Sequence, residues 1–168
     1  MRLCTTLATI ALAACGGSAS LNPGESSSCT AVLSGAVSGT FDCKPATTVW
    51  AQSNNQGGFA FNVPQSGSGP AVSVIIGFPG EPHTGHYRST DSGASGGLTV
   101  QTGSNSIWVA AANTGSSPQG SYDLNFTSVG NALTASNGKS YSTDGTVDAT
   151  LTAVGGGASG TVNMHVVF

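Results

Sequence analysis

Charged residues are scarce in this chain of 168 residues. Asp, Glu, Lys and Arg make up 7% of the sequence, against about 25% in an ordinary soluble domain. Four basic residues stand against seven acidic ones, which gives a formal net charge of −3. Because no basic patch is present, nucleic-acid binding is disfavoured and a polybasic attachment to acidic lipids is excluded.

Long hydrophobic runs are also missing. The apolar stretch near the start, residues 3–14, carries no charge. As a helix it would span roughly 18 Å, well short of the ~30 Å hydrocarbon core, so no transmembrane helix is expected there. A preceding Arg2 and small residues at its end are typical of a secretory signal, which predicts an exported protein.

The end of this stretch, Leu12-Ala13-Ala14-Cys15, resembles the lipobox of bacterial lipoproteins. The resemblance implies a signal peptide at residues 1–14, cleavage before Cys15 and a diacylglycerol on the Cys15 thiol. The membrane is then a partner through this lipid anchor, and Gly16, which is not Asp, favours the outer over the inner membrane. An ordinary secretory signal cut nearby is the alternative, and Cys4 has no role under either reading.

Residues 15–28 are rich in Gly and Ser and predict a flexible tether, followed by one domain at residues 29–168. Cys29 and Cys43 remain once Cys15 is assigned to lipid. In an exported protein such a pair predicts a disulfide that closes a loop of about 15 residues, worth roughly 3 kcal/mol in the chain-entropy model. Metal ligation by the same two cysteines is the alternative.

The apolar residues of the domain alternate with polar ones, which predicts β-strands and no helix. The clearest segments are 121–129, 147–153 and 162–167, the last two as a terminal hairpin. Weaker candidates share β-branched residues and flanking Gly, Pro or Asn: residues 30–41, 46–52, 59–63, 71–78, 98–102 and 106–112. In total, we expect an all-β, antiparallel sandwich of nine or ten strands with jelly-roll-like connections, with a closed β-barrel as the alternative.

Residues 79–97 read as one long irregular loop, and they hold the densest group of possible metal ligands. These are Glu81, His83, His86 and Asp91, and carboxylate and imidazole groups are the ligands that zinc takes. A proline and a glycine between them forbid the helix that usually brings two such histidines together. Solvated loop side chains are therefore the favoured reading, and no cofactor is expected.

Other chemical signals are weak. Neither a G-x-S-x-G elbow nor a D-x-D-x-D-G calcium loop occurs. Asp123, Asp148 and His165 fall at outward positions of predicted strands, where a solvated side chain is the ordinary case.

Aromatic side chains offer a possible platform for sugar rings: Trp50, Trp108, Tyr87 and Tyr141. Both tryptophans lie in apolar strands and are expected in the core, which leaves Tyr87 as the more exposed ring.

The sequence thus predicts a lipid-anchored protein of the cell envelope that acts as a non-enzymatic binding or structural module. A glycan or an envelope protein is the expected partner. The alternative is a metal-dependent or other hydrolase built on residues 79–97. The C-terminal segments GTVDATLTAV and GTVNMHVVF also resemble the tail of small uncharacterised bacterial lipoproteins, which implies no activity.

Overall fold

The computed structural model describes residues 29–44, 46–103, 105–112 and 119–168. Within these ranges the chain forms strands and no helix, and so nothing there is a helix long and apolar enough to cross a membrane. The expected signal peptide with Cys4, the lipidation site Cys15 and the tether at 15–28 all lie outside the described residues.

Thirteen strands are described. They are β1 (Cys29–Gly35), β2 (Gly39–Cys43), β3 (Thr47–Ala51), β4 (Gln56–Val63), β5 (Ala71–Pro79), β6 (Gly85–Arg88), β7 (Ser95–Thr102), β8 (Ser106–Ala111), β9 (Ser121–Val129), β10 (Leu133–Ala135), β11 (Gly138–Tyr141), β12 (Thr143–Ala153) and β13 (Thr161–Val167).

All thirteen strands belong to one antiparallel sheet. Its main path runs β10-β11-β3-β4-β5-β7-β8-β12-β13-β1-β2, and β6 joins through β9, which pairs with β12. The long strand β12 makes the corner, because its last residues pair with β8 while the rest pairs with β9. Because the path has two ends that do not pair with each other, the sheet is not a closed ring. It is curled like half a barrel.

The core fills the concave side of this curled sheet. Phe59 of β4 packs against Phe126 of β9 and against Phe168, with ring centroids 5.7 and 4.5 Å apart. Phe78 of β5 packs on Tyr87 of β6 at 4.3 Å. These contacts join the two halves of the sheet, and rings at such separations add about 0.5–1.5 kcal/mol per pair beyond the burial of their area.

The all-β antiparallel class is confirmed, and so are the strands with the clearest alternation. Tyr122, Leu124 and Phe126 of β9 are all buried, as their spacing predicted. The terminal hairpin of β12 and β13 is confirmed with Val147 opposite Val166.

The expected count of nine or ten strands is wrong, since thirteen are described. Residues 30–41 form two strands of a hairpin, β1 and β2, instead of one bent strand. Residues 79–97 are not one loop, because they contain β6 and the start of β7. A further hairpin, β10–β11, lies between the predicted strands at residues 121–129 and 147–153.

The disulfide between Cys29 and Cys43 is confirmed. The two cysteines are opposite one another in the register of β1 and β2, with Cα atoms 5.1 Å apart. The bond therefore closes the open end of the first hairpin, where a cross-link needs no rearrangement of the backbone.

Candidate functional site

The outward side chains of β6, β9, β12, β13 and β1 form a surface that we call the polar face. Register places one row of them side by side across all five strands. Listed from β6 to β1, the row is Arg88, Asp123, Asp148, His165 and Val32. Each strand contributes the row through simple alternation, because its neighbours along the chain point into the core.

The polar side chains of this row form two hydrogen-bonded clusters. Oδ1 of Asp123 lies 2.8 Å from Nδ1 of His86, and its Oδ2 lies 3.2 Å from Nε of Arg88. Oδ1 of Asp148 lies 2.6 Å from Nδ1 of His165. Asp123 and Asp148 face each other on neighbouring strands, where two like charges are unfavourable. The Arg88 cation and the hydrogen bonds of the two imidazoles lie on the outer sides of this pair and offset that repulsion.

A second polar row runs beside the first. Ser121, Thr150, Asn163 and Ser34 follow one another across β9, β12, β13 and β1. Thr150 Oγ1 donates a hydrogen bond to Asn163 Oδ1 at 3.1 Å, which leaves the amide NH2 of Asn163 outside this bond. Both rows line one open depression of about 560 Å³, a size in the range of small-ligand sites.

The depression offers both hydrogen-bond donors and hydrogen-bond acceptors. Arg88 is 55% exposed at its side chain, and Asp148 is 61% exposed. Among the described residues, the hydrogen bond to Asp148 uses only Oδ1, so Oδ2 faces solvent as a charged acceptor. Hydrogen bonds to ionised groups are about twice as strong as neutral ones, which makes these two side chains the strongest contacts for a bound ligand.

The four expected metal-ligand candidates are not brought together. Glu81 binds Lys139 and Tyr141, whereas His83 Nδ1 lies 2.5 Å from the hydroxyl of Tyr87. His86 pairs with Asp123, and Asp91 accepts a hydrogen bond from the backbone N–H of Arg88 at 2.7 Å. Over the ranges that the structure covers, no three His, Cys, Asp or Glu side chains lie close enough to hold a metal ion.

Glu81 instead links the segment before β6 to β11 through hydrogen bonds with Lys139 and Tyr141. Lys139 Nζ donates to Oε1 and Oε2 of Glu81 at 2.9 and 3.1 Å, and Tyr141 Oη also donates to Oε2. The hydrogen bond from Tyr141, followed by that from Lys139, lowers the pKa of Glu81. Burial, and then the carboxylate beside it, raises the pKa of Tyr141 to about 12.

No aromatic platform is exposed in the described part of the chain. Trp108 is in the core as expected, but Tyr87, expected at the surface, is only 7% exposed, and its burial raises its pKa. Trp50, expected in the core, is half-buried at the rim, where Nζ of Lys139 lies 5.2 Å from its ring centroid. Because this cation covers a face of the ring, Trp50 is not a free surface for a sugar.

The polar face was visible in the sequence only as scattered outward positions. Asp123, Asp148 and His165 were expected to point outward, and they do. Their assembly into one row depends on the pairing of β9 with β12 and of β12 with β13, and on the insertion of β6 beside β9. Alternation fixes the face of each residue, whereas its neighbour on the next strand follows from register.

Comparison of the chain with protein-family models, with curated proteins and with solved structures found no match.

Proposed function

We propose that the chain is an exported, lipid-anchored module of the bacterial cell envelope that binds a glycan on its polar face without catalysing a reaction. Cys15 carries the lipid, residues 15–28 are the tether, and residues 29–168 are the binding domain. The lipobox-like sequence supports the anchor, and the confirmed disulfide fits an oxidising compartment.

The observation that carries the binding role is the pair of polar rows in one depression. Carboxylate, guanidinium, imidazole, amide and hydroxyl groups from five strands line this depression. A sugar presents hydroxyl groups that donate and accept at similar spacing, so it can satisfy several of these groups at once. The rigid backbone of a sheet holds such groups in place and reduces the ordering cost of binding.

A glycan fits this surface better than a protein partner does. Protein interfaces are anchored by aromatic and other large side chains at their centre. The exposed large apolar side chain in this depression is that of Val32, and its other exposed members are polar. Because the depression is open and wet, we expect a dissociation constant of about 0.1–1 mM per site.

We also propose that the curled sheet is a sandwich with jelly-roll-like connections. The contact between Phe59 of β4 and Phe126 of β9, across the inside of the curled sheet, supports this proposal. The corner at β12 is then the point where one strand is shared by both layers.

The binding role is tested by titrating the purified chain with soluble oligosaccharides released from the envelope, monitored by calorimetry. Asp148→Asn removes the charged acceptor, and Asn163→Ala removes the amide beside it. Loss of one charged hydrogen bond costs about 1.5–3 kcal/mol, so we expect binding to weaken by at least about tenfold in Asp148→Asn.

Ser73→Ala is the matched control, because Ser73 is an exposed hydroxyl residue on β5, outside the polar face. It should bind like the unchanged chain. The proposal fails if no envelope oligosaccharide binds at concentrations up to about 5 mM, well above the expected dissociation constant. It also fails if Asp148→Asn and Ser73→Ala bind equally well.

A further inference from the structure

The other half of the sheet carries a surface of opposite character. The outward side chains of β3, β4, β5, β7 and β8 include no Asp, Glu, Lys, Arg or His, and we call this surface the uncharged face. Its central row, from β3 to β8, is Thr47, Ala60, Ile75, Gly97 and Ala111.

A knob and a groove lie next to each other on this face. The side chain of Ile75 is 63% exposed, the most exposed of the large hydrophobic residues in the described ranges. Its cross-strand neighbours are the small residues Ala60 and Gly97, so its side chain projects above theirs. Beside it, a groove of about 340 Å³ runs over Gly97, lined by Thr99, Val109 and Ala111 among others.

We propose that the uncharged face is a homodimer interface, in which Ile75 of each copy enters the groove over Gly97 of the other. A two-fold axis makes any such pair of contacts reciprocal, because the same patch serves both subunits. Two-fold symmetry requires that one patch carry both the knob and the groove, and here Ile75 lies next to the groove over Gly97.

The polarity of the surrounding residues fits an interface. Polar but uncharged side chains frame the apolar centre: Gln56, Asn62, Ser73, Ser95, Thr99 and Gln101. An apolar centre within a polar rim, depleted of charge, is the usual composition of an interface core and its surroundings.

Electrostatics favour a second copy of the chain on this face in particular. Acidic residues outnumber basic ones in each copy, so two copies repel one another if their charged surfaces meet. Pairing through the uncharged face leaves the polar faces on opposite sides of the dimer. The two polar faces are then separated by the thickness of both copies, which is more than two sheet spacings of about 10 Å each. Because the Debye length is about 8 Å at physiological salt, repulsion between the two faces is screened.

The area of the face is sufficient for a weak, specific dimer. Five strands at about 4.8 Å spacing and about 22 Å of strand length cover about 500 Å² per copy, or about 1,000 Å² in total. This total is the lower bound for specific interfaces, so we expect a dissociation constant of about 1–100 µM.

Sedimentation equilibrium of the full exported chain, in excess detergent matched in density to the buffer, measures the dimer directly. The unchanged chain should shift from monomer to dimer between about 1 and 300 µM. Ile75→Lys places two uncompensated cations at the centre of the interface and should weaken association by at least about tenfold.

Val167→Lys is the matched control, because Val167 is an exposed β-branched residue of β13 on the polar face. It adds the same charge and should leave the dimer intact. Ser73→Arg, at an exposed position on the rim of the groove, tests the same interface without altering Ile75. It should also weaken association, and circular dichroism confirms that each variant is folded.

The inference is overturned if the unchanged chain remains a monomer at about 300 µM, a result that would mean another occupant or none covers the face. It is also overturned if a folded Ile75→Lys or Ser73→Arg variant dimerises as the unchanged chain does. An equal loss of dimer in Val167→Lys would contradict it as well, because the effect of an added lysine would then not depend on its place on the uncharged face. None of these results depends on glycan binding.

Discussion

At the scale of single residues, two neighbouring glycines of β4 show how closely the core is packed. Gly57 points inward, and a Cβ built on it would lie 2.0 Å from the ring of Phe78. Gly58 points outward, and its Cβ would meet nothing nearer than Val49 Cγ2 at 3.7 Å, an ordinary contact. Neither residue has the positive φ that would by itself require glycine. The difference between them is therefore one of packing.

Gly57→Ala should accordingly destabilise the domain by about 1–3 kcal/mol, the usual cost of overpacking a filled core. Gly58→Ala is the matched control and should change the free energy of unfolding by less than about 0.5 kcal/mol or stabilise it slightly. Urea denaturation followed by tryptophan fluorescence measures both. Equal stability of the two variants would show that the ring of Phe78 does not occupy this position.

At the scale of elements, the sequence pattern predicts strands well where one face is buried and the other is wet. Buried residues alternate with more exposed ones along β12, β13 and the part of β9 up to Phe126, and each strand was predicted with the correct inward face. Such strands can be predicted from their own sequence, because burial of one face makes apolar and polar residues alternate along the strand.

The strands that were missed lack this local evidence. The segment from Thr30 to Phe41 contains many β-formers, and no Asn, Asp or Pro marks a turn within it. The turn is instead set by Gly35, whose φ of +96° glycine adopts readily and whose missing Cβ leaves room for the carbonyl oxygen of Thr161. β6 has only four residues, and it forms by pairing with the edge of β9. The sequence of β6 alone does not reveal this pairing.

The segment between β5 and β6 is held by the contact of Glu81 with Lys139 and Tyr141. Because the folded-state pKa of Glu81 is lowered, its contribution to stability is present above the ordinary value of 4.5 and is lost as pH falls through the lowered pKa. Glu81→Gln removes this contribution. The difference in free energy of unfolding between the unchanged chain and Glu81→Gln should therefore be largest above about pH 5 and should shrink at lower pH.

Denaturation midpoints between about pH 3 and pH 7 test this dependence. Asp42→Asn is the control, because it removes one carboxylate from an exposed position of β2 outside the network. A difference between the unchanged chain and Glu81→Gln that stays constant over this range would contradict the proposed role of the carboxylate.

At the scale of the whole molecule, the sheet separates its outward surface into a charged half and an uncharged half. The polar face gathers Arg88, Asp123, Asp148 and two histidines, whereas the uncharged face has none of these residue types. This division was not predictable from the sequence, because the alternation within a strand does not reveal which strands are its neighbours. The pairing of β4, β5, β7 and β8 in one group, and of β9, β12 and β13 in another, is seen only in the structure. It is the basis of both proposals, with the ligand on one face and the second copy on the other.

The central claim is that this domain is held at a membrane by a lipid on Cys15. The most direct test is mass spectrometry of the intact chain and its N-terminal peptide, isolated from the membrane fraction of the native cells. We predict an N-terminus at Cys15, a diacylglyceryl group on its sulfur, and a loss of two hydrogens for the Cys29–Cys43 disulfide. A chain that begins elsewhere and carries no lipid would contradict the anchor and make this a freely secreted domain.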